Sequence, residues 1–356
     1  MIKTIRRKSS TFTQEGVSII ICCYNAQDRI IPTLEHIQRQ TFSIPIQWEV
    51  IVVDNASTDN TAKVAQSIWD ENPVTNFKIC YESKAGLNHA RSRGFKEASY
   101  SILSLVDDDN WLEPQWVEKV YTIFDQHKSI GACCGQNIPA FDCTPPAWFE
   151  YFKQSYATGK LHFNEGIVHR QTFGNLWGAG LSIRKEVISD LNRINFTFVT
   201  SDRKGKSLSS GGDTELCYAI RLLGYDLYYT NDLILHHFVP HYRLQWKYLK
   251  GLNYEFGKLH AKAEPYFDLY HKKPKRVWFK NLRNAFVLYA FYKILRLTQT
   301  TQKNRWKYTI KATWWKGKVD QLWQDKGGKD ARSTYQQLEK TFKSQSHKQL
   351  QTEYIN

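Results

Sequence analysis

The chain has 356 residues, 42% hydrophobic and 14% aromatic, which excludes a disordered protein and suffices for one large domain or a domain with an appendage. Its net charge of +15 is lopsided: residues 241–356 hold 25 Lys/Arg against 8 Asp/Glu, so the part before them is near neutral. Seven cysteines, among them the pairs Cys22-Cys23 and Cys133-Cys134 and no C-x-x-C spacing, exclude a disulfide framework and predict reduced thiols in a cytoplasmic protein.

Residues 1–16 form a basic segment with Arg6-Arg7-Lys8 and no apolar run of signal-peptide length. Val17 to Asn25 reads as a buried strand, followed by a helical pattern from Asp28 to Gln40. Glu49 to Val53 is a second strand, running into Asp54-Asn55-Ala56-Ser57-Thr58-Asp59, with a helix from Asn60. A third, Ile102 to Val106, ends in Asp107-Asp108-Asp109-Asn110. Strands alternating with helices predict a parallel sheet with crossover connections, so Tyr24-Asn25, Asp54 and Asp107 to Asp109 should emerge at one edge. Ligands bind at that edge in open α/β sheets. Adjacent carboxylates there suit a hard divalent ion completed by substrate phosphates. The plainer reading of the triplet is an acidic cap on a helix starting near Glu113-Pro114.

The strand Ile130 to Cys134 closes a nucleotide-binding half at residues 17–135, and residues 136–248 form a second half. Within it, the Pro- and aromatic-rich stretch 137–176 predicts substrate-facing loops, and Trp177-Gly178-Ala179-Gly180 leads a strand ending at Arg184 before a helix from Lys185. A Lys/Ser/Gly-rich loop at 200–212, expected to be mobile, precedes a helix whose first turn holds Asp213 and Glu215, a placement that suits the helix dipole by itself. His236 and His237 sit at a strand end, where the two-residue period lets only one of them face a site.

Residues 249–356 read as basic, aromatic-rich helices, and the apolar run Ala285 to Tyr292 is too short to span a bilayer. An anionic membrane surface, a nucleic acid, or simple packing with a solvated basic face would each fit this tail. The near-neutral first part favours peripheral contact with the membrane over nucleic acid, which is not an expected partner.

In order, Ile20 to Asn25, Val52 to Asp59, Ala85-Gly86-Leu87-Asn88-His89-Ala90-Arg91-Ser92-Arg93-Gly94, the Asp107 to Asp109 triplet, the glycine-rich Trp177 to Leu181, and Gly211 to Leu216 resemble the motifs of family 2 glycosyltransferases. The resemblance covers roughly residues 17–248. It implies a GT-A fold, an α/β Rossmann-like mixed and mostly parallel sheet flanked by helices, here with the helical C-terminal extension. It further implies an inverting transfer from a nucleotide diphosphate sugar, commonly a UDP-sugar, to a hydroxyl of a glycan or lipid-linked acceptor in cell-surface polysaccharide or glycoconjugate synthesis. Carried over by position, Tyr24, Asn25, Asp54, Asn88, Arg91, Asp107 and Asp108 would bind the nucleotide sugar, and Trp177, Gly178, Ala179 and Gly180 the acceptor. Asp109, with Asp107 and His237, would hold Mg2+ or Mn2+, and Asp213 would be the general base. The sequence departs from the family at Gly212, where Glu is usual, so Glu215 enters as a helper or competitor. That departure also keeps open a non-catalytic nucleotide-sugar- or nucleic-acid-binding protein on the same fold. A nucleotidyltransferase would need a basic, glycine-rich triphosphate loop that the sequence lacks.

Overall fold

A computed structural model describes residues 14–162, 164–168, 175–200, 208, 211–273, 277–325 and 327–353, with side chains to residue 342. Most of the basic N-terminal segment and of the loop at 200–212 therefore lies outside the described residues. The first half runs β1 (Gln14–Cys23), α1 (Ile30–Gln38), β2 (Trp48–Asp54), α2 (Thr61–Glu71), β3 (Asn76–Tyr81), α3 (Leu87–Glu97), β4 (Tyr100–Asp107), β5 (Asn110–Leu112) and α4 (Trp116–Gln126). Then follow β6 (Ile130–Ala140), α5 (Phe149–Phe152), β7 (Gly166–Ile167), β8 (Ser182–Arg184), α6 (Lys185–Arg193), α7 (Gly212–Leu222) and β9 (Asp226–Phe238). Four helices end the chain: α8 (Trp246–Tyr270), α9 (Trp278–Leu295), α10 (Gln302–Gln324) and α11 (Lys329–Glu353).

One sheet carries all the strands, in the order β3-β2-β1-β4-β8-β6-β9-β5, with β7 beside β9. Its long ladders, β3-β2, β2-β1, β1-β4 and β6-β9, are parallel, and the short ones made by β5, β7 and β8 are antiparallel. Period-two alternation sorts the apolar strand residues to two cores. Ile20, Ile51, Val53, Leu103 and Leu105 share one with α6 and α7; Ile19, Ile21, Val50 and Val52 share the other with α1, α2 and α4. Both faces of β2 are thus covered, which is why its sequence is a continuous apolar run. Register then places the functional edge: Cys23 pairs with Asp54 and Cys22 with Asp107, so β1, β2 and β4 end together. All seven cysteines are free.

Two expected elements differ. The acidic triplet does not cap a helix near Glu113; it forms a tight turn between β4 and β5, and α4 starts at Trp116. The expected strand from Trp177 is confined to Ser182–Arg184 because the chain turns at Gly180, whose φ of +75° is left-handed and whose added Cβ would lie 2.5 Å from Leu235 and 2.7 Å from Trp116.

Helix α8 begins before residue 248 and joins the tail to the catalytic half: Leu249 and Leu252 share a core cluster with Trp148, Phe149 and Tyr156. It crosses α10 at two glycines. A Cβ on Gly257 would lie 1.9 Å from the Trp314 carbonyl oxygen, and one on Gly317 2.0 Å from that of Tyr254. Beside this crossing, Lys318 Nζ donates to Glu264 Oε1 at 2.6 Å, both side chains buried. Alanine at a helical glycine normally adds ~1 kcal/mol. Gly257→Ala should instead lower stability by ~1–3 kcal/mol through overpacking, read by urea denaturation; an unchanged or raised midpoint would contradict this crossing.

Candidate active site

A cavity of about 860 Å³ opens beyond the carboxyl ends of β1, β2 and β4. Its lining includes Asp107 to Asp109, the pair Arg91 and Asp213, His237 and Arg243, and residues of α8. The turn is cinched by Asn110, whose Oδ1 accepts from Asp107 N at 3.1 Å.

Each carboxylate here meets a different environment. Asp108 accepts a two-point contact from Arg29, Nε to Oδ1 at 3.2 Å and Nη2 to Oδ2 at 2.9 Å, while the Thr33 hydroxyl donates to its carbonyl at 2.9 Å. Burial first, then the charge of Asp109, pushes the Asp108 carboxyl up to about 6 against the pull of Arg29. Asp109, 3% exposed, accepts from Arg243 Nη1 at 2.9 Å, and its other oxygen lies 3.5 Å from His237 Nε2 and 3.3 Å from Asn110 Nδ2. The Asp107 carboxyl is raised by burial and then by Asp109, and its carboxylate has no hydrogen-bond or ion-pair partner among the described residues.

From α3 comes Arg91, 6% exposed, whose Nη1 donates to Asp213 Oδ1 at 2.7 Å. Asp213 stands in the first turn of α7, as its position after Gly211-Gly212 dictates. Residue 178 must be glycine for the loop to close over that carboxylate, since an added Cβ would lie 2.0 Å from Asp213 Oδ2. Trp177 and Ala179 line the cavity beside it.

Several expected residues lie elsewhere. Glu215 is fully buried away from the cavity, accepting from Val199 N at 3.0 Å, Thr200 N at 2.9 Å and Thr200 Oγ1 at 2.7 Å. Burial raises its carboxyl and those hydrogen bonds oppose the rise. It anchors residues 199–200 and is not poised as a second base. Asn25, at φ +47°, uses Oδ1 to accept from Thr58 N at 2.8 Å, which is turn chemistry. Asp54 accepts from Ser57 N at 3.0 Å; its neighbour Asn55 reaches the cavity instead. Asn88 and Gly180 are also outside the lining, whereas Tyr24 is part of it. His236 turns out to Glu113, 2.9 Å away, while His237 lines the cavity, its Nδ1 buried without a hydrogen-bond partner among the described residues.

Arg29 and Arg243 are the site residues that the sequence reading missed. Their only signal is indirect: a crowded, partly buried acidic triplet requires cations, but nothing local says which of the chain's 49 basic residues supply them. The tail's share of the wall was also missed. Tyr248, Leu252, Phe256, Leu259, Ala263 and Phe267 follow one helical face of α8 into the cavity.

Among the described residues, no group of three or more His, Cys, Asp or Glu is arranged to hold a metal ion. A divalent ion that shares its coordination with phosphates needs only one or two carboxylates. Asp107 and Asp109 fit that lesser demand, because Asp107 is a half-buried carboxyl raised by desolvation and then by Asp109, whose repulsion a dication would relieve.

Residues 18–191 match the family model described as Glycosyl transferase family 2. The glucosyl-dolichyl phosphate glucuronosyltransferase of Haloferax volcanii is 21% identical over 237 residues, 65% of this chain and 72% of that protein. Glycosyltransferase AglE of the same organism is 27% identical over 226 residues, 63% of this chain and 67% of its own length. The chain spans half the length of other curated relatives that it matches. In solved structures, the mannosyltransferase PcManGT from Pyrobaculum calidifontis, in complex with GDP-Man and Mn2+, superposes with a TM-score of 0.52 at 18% identity over 88% of each chain. That likeness is one of fold.

The Arg243–Asp109 contact is testable by itself. Removing one partner of a buried pair leaves an uncompensated charge and costs ~3–5 kcal/mol. Arg243→Met should show such a loss in urea denaturation, and adding Asp109→Asn should restore most of it. Wild-type stability in the single variant would remove this pair from the site.

Proposed function

We propose, from the match of residues 18–191 to the Glycosyl transferase family 2 model, that this chain is a glycosyltransferase of that family, acting on a nucleotide sugar in an inverting transfer to an acceptor hydroxyl. The donor in this reading is a nucleotide diphosphate sugar, a UDP-sugar first, and the acceptor a glycan or lipid-linked glycan. The setting is the synthesis of cell-surface polysaccharide or glycoconjugates, on the cytoplasmic side and peripherally at the membrane. The observation that carries the proposal is one shared cavity: Asp213 faces the same space as the Asp107 to Asp109 turn.

Donor nucleotide is assigned to the strand-end side, where Tyr24 offers an aromatic face and Arg91 a guanidinium suited to phosphate oxygens. Asp107 and Asp109 would hold Mg2+ or Mn2+, which when bound neutralises negative charge on a departing diphosphate. The acceptor enters beside Trp177, Gly178 and Ala179, and Asp213 takes the hydroxyl proton as the oxygen attacks the anomeric carbon from the face opposite the leaving group. Arg91 orients Asp213 for that task, with the 2.7 Å contact as support. A positioned base needs no second carboxylate, so the burial of Glu215 and the glycine at 212 are compatible with chemistry. A non-catalytic binder is the less favoured reading, since binding alone does not require a carboxylate opposite the acidic turn.

Asp213→Asn should reduce turnover by ~10²- to 10⁴-fold, the usual contribution of a positioned proton acceptor, with donor affinity nearly unchanged. Glu215→Gln should behave differently, losing thermal stability while folded enzyme keeps turnover within a few-fold. Near-normal turnover of Asp213→Asn with a nucleotide sugar that wild type uses would overturn the assignment.

A further inference from the structure

Helix α9 is apolar on two faces, and among the described residues only one is covered. Leu282 and Ala285 are buried in a cluster with Leu322, Trp315 and Val319 of α10. On the other side Phe279, Phe286, Val287, Phe291 and Ile294 are 52–65% exposed, and Leu297 just past the helix is 72% exposed. Their spacing of three, four and seven residues places them along one stripe, roughly 27 Å long at the rise of an α-helix. Isolated exposed apolar side chains need no explanation, but a contiguous stripe of this length does.

Charge identifies what covers it. Residues 269–319 contain 14 Lys/Arg and no Asp or Glu. Lys280, Arg283 and Lys293, all exposed, lie within or beside the stripe. We propose that this face of α9 is a docking surface for an anionic lipid membrane, with the phenylalanines in the interface and the basic side chains on lipid phosphates. A second copy of this chain would bring the same positive charge against it, and like charge placed face to face disfavours association. An anionic bilayer interface supplies both the apolar layer and the opposite charge. The helix lies in the interface plane, because no helix among the described residues is long and apolar enough to cross a membrane. Docking there also fixes the cavity near the lipid surface, since α10 contributes Trp314 to the cavity wall while packing on α9. The inference deepens the peripheral placement proposed above and is independent of the assignment of Asp213.

Flotation of the full chain with vesicles provides the test, using phosphatidylglycerol mixed with phosphatidylcholine against phosphatidylcholine alone. Wild type should float with the anionic vesicles only, and salt should weaken it because screening shortens the reach of surface charge. Phe286→Ser with Phe291→Ser should bind roughly tenfold more weakly, as expected when apolar area is removed from an interfacial helix, with unchanged melting temperature and nucleotide affinity. Both positions are exposed; Lys280→Glu with Arg283→Glu gives a second variant with intact apolar residues, expected to lose the preference for anionic lipid. Three results would overturn the proposal: wild type that ignores anionic vesicles at low salt, variants that float as wild type does, or a wild-type dimer that the serine variant turns into monomer. Loss of floating in an inactive Asp213→Asn enzyme is not expected, which keeps this outcome separate from the catalytic one.

Discussion

The structure depends on one electrostatic constraint: three consecutive carboxylates at the end of β4 sit in a poorly solvated strand end and must be offset by cations. Two unit charges of like sign 4 Å apart repel by ~4 kcal/mol even at an effective dielectric constant of 20, and burial adds to that. The Asp107 and Asp108 carboxyls are raised by burial first and by this repulsion second. Arg29 ties the start of α1 to the turn, and Arg243 ties the segment between β9 and α8 to it. Arg91 performs the parallel service for Asp213 at the start of α7. Three ion pairs thus draw widely separated parts of the chain around one cavity. They leave Asp107, whose carboxylate has no hydrogen-bond or ion-pair partner among the described residues, lining the same cavity.

Much of the sheet was legible because its signal is local. The runs Val17 to Cys23, Glu49 to Val53 and Ile102 to Val106 must be buried on both faces, and the order of strands and helices then fixes their direction and brings their polar ends together. Asp213 and the glycine at 178 were legible through motif position, although the reason for that glycine, the carboxylate it makes room for, belongs to packing alone. The family resemblance contributed roles that no periodicity could supply.

What stayed hidden was long-range. The partner of Asp109 lies 134 residues away and that of Asp108 79 residues away, so neither arginine stood out among the basic residues. Glu215 looked like a catalytic candidate because it is acidic and near Asp213, but one turn position on a helix decides between cavity and core. The short β5 escaped notice because three residues carry almost no periodic signal, yet its pairing of Asn110 with His237 is what turns His237 inward and His236 out. The tail read as an appendage by composition, whereas α8 supplies an entire wall of the cavity and the glycine crossing with α10 fixes that wall in place.

The central claim is that the acidic turn binds donor diphosphate together with a divalent ion through Asp109. Calorimetric titration of UDP, and in parallel GDP, into wild type and Asp109→Asn with and without Mn2+ tests it most directly. The account predicts that Mn2+ strengthens binding of at least one nucleotide to wild type and that Asp109→Asn abolishes this enhancement. Equal affinity in all four combinations of protein and metal, for a nucleotide that does bind, would contradict it.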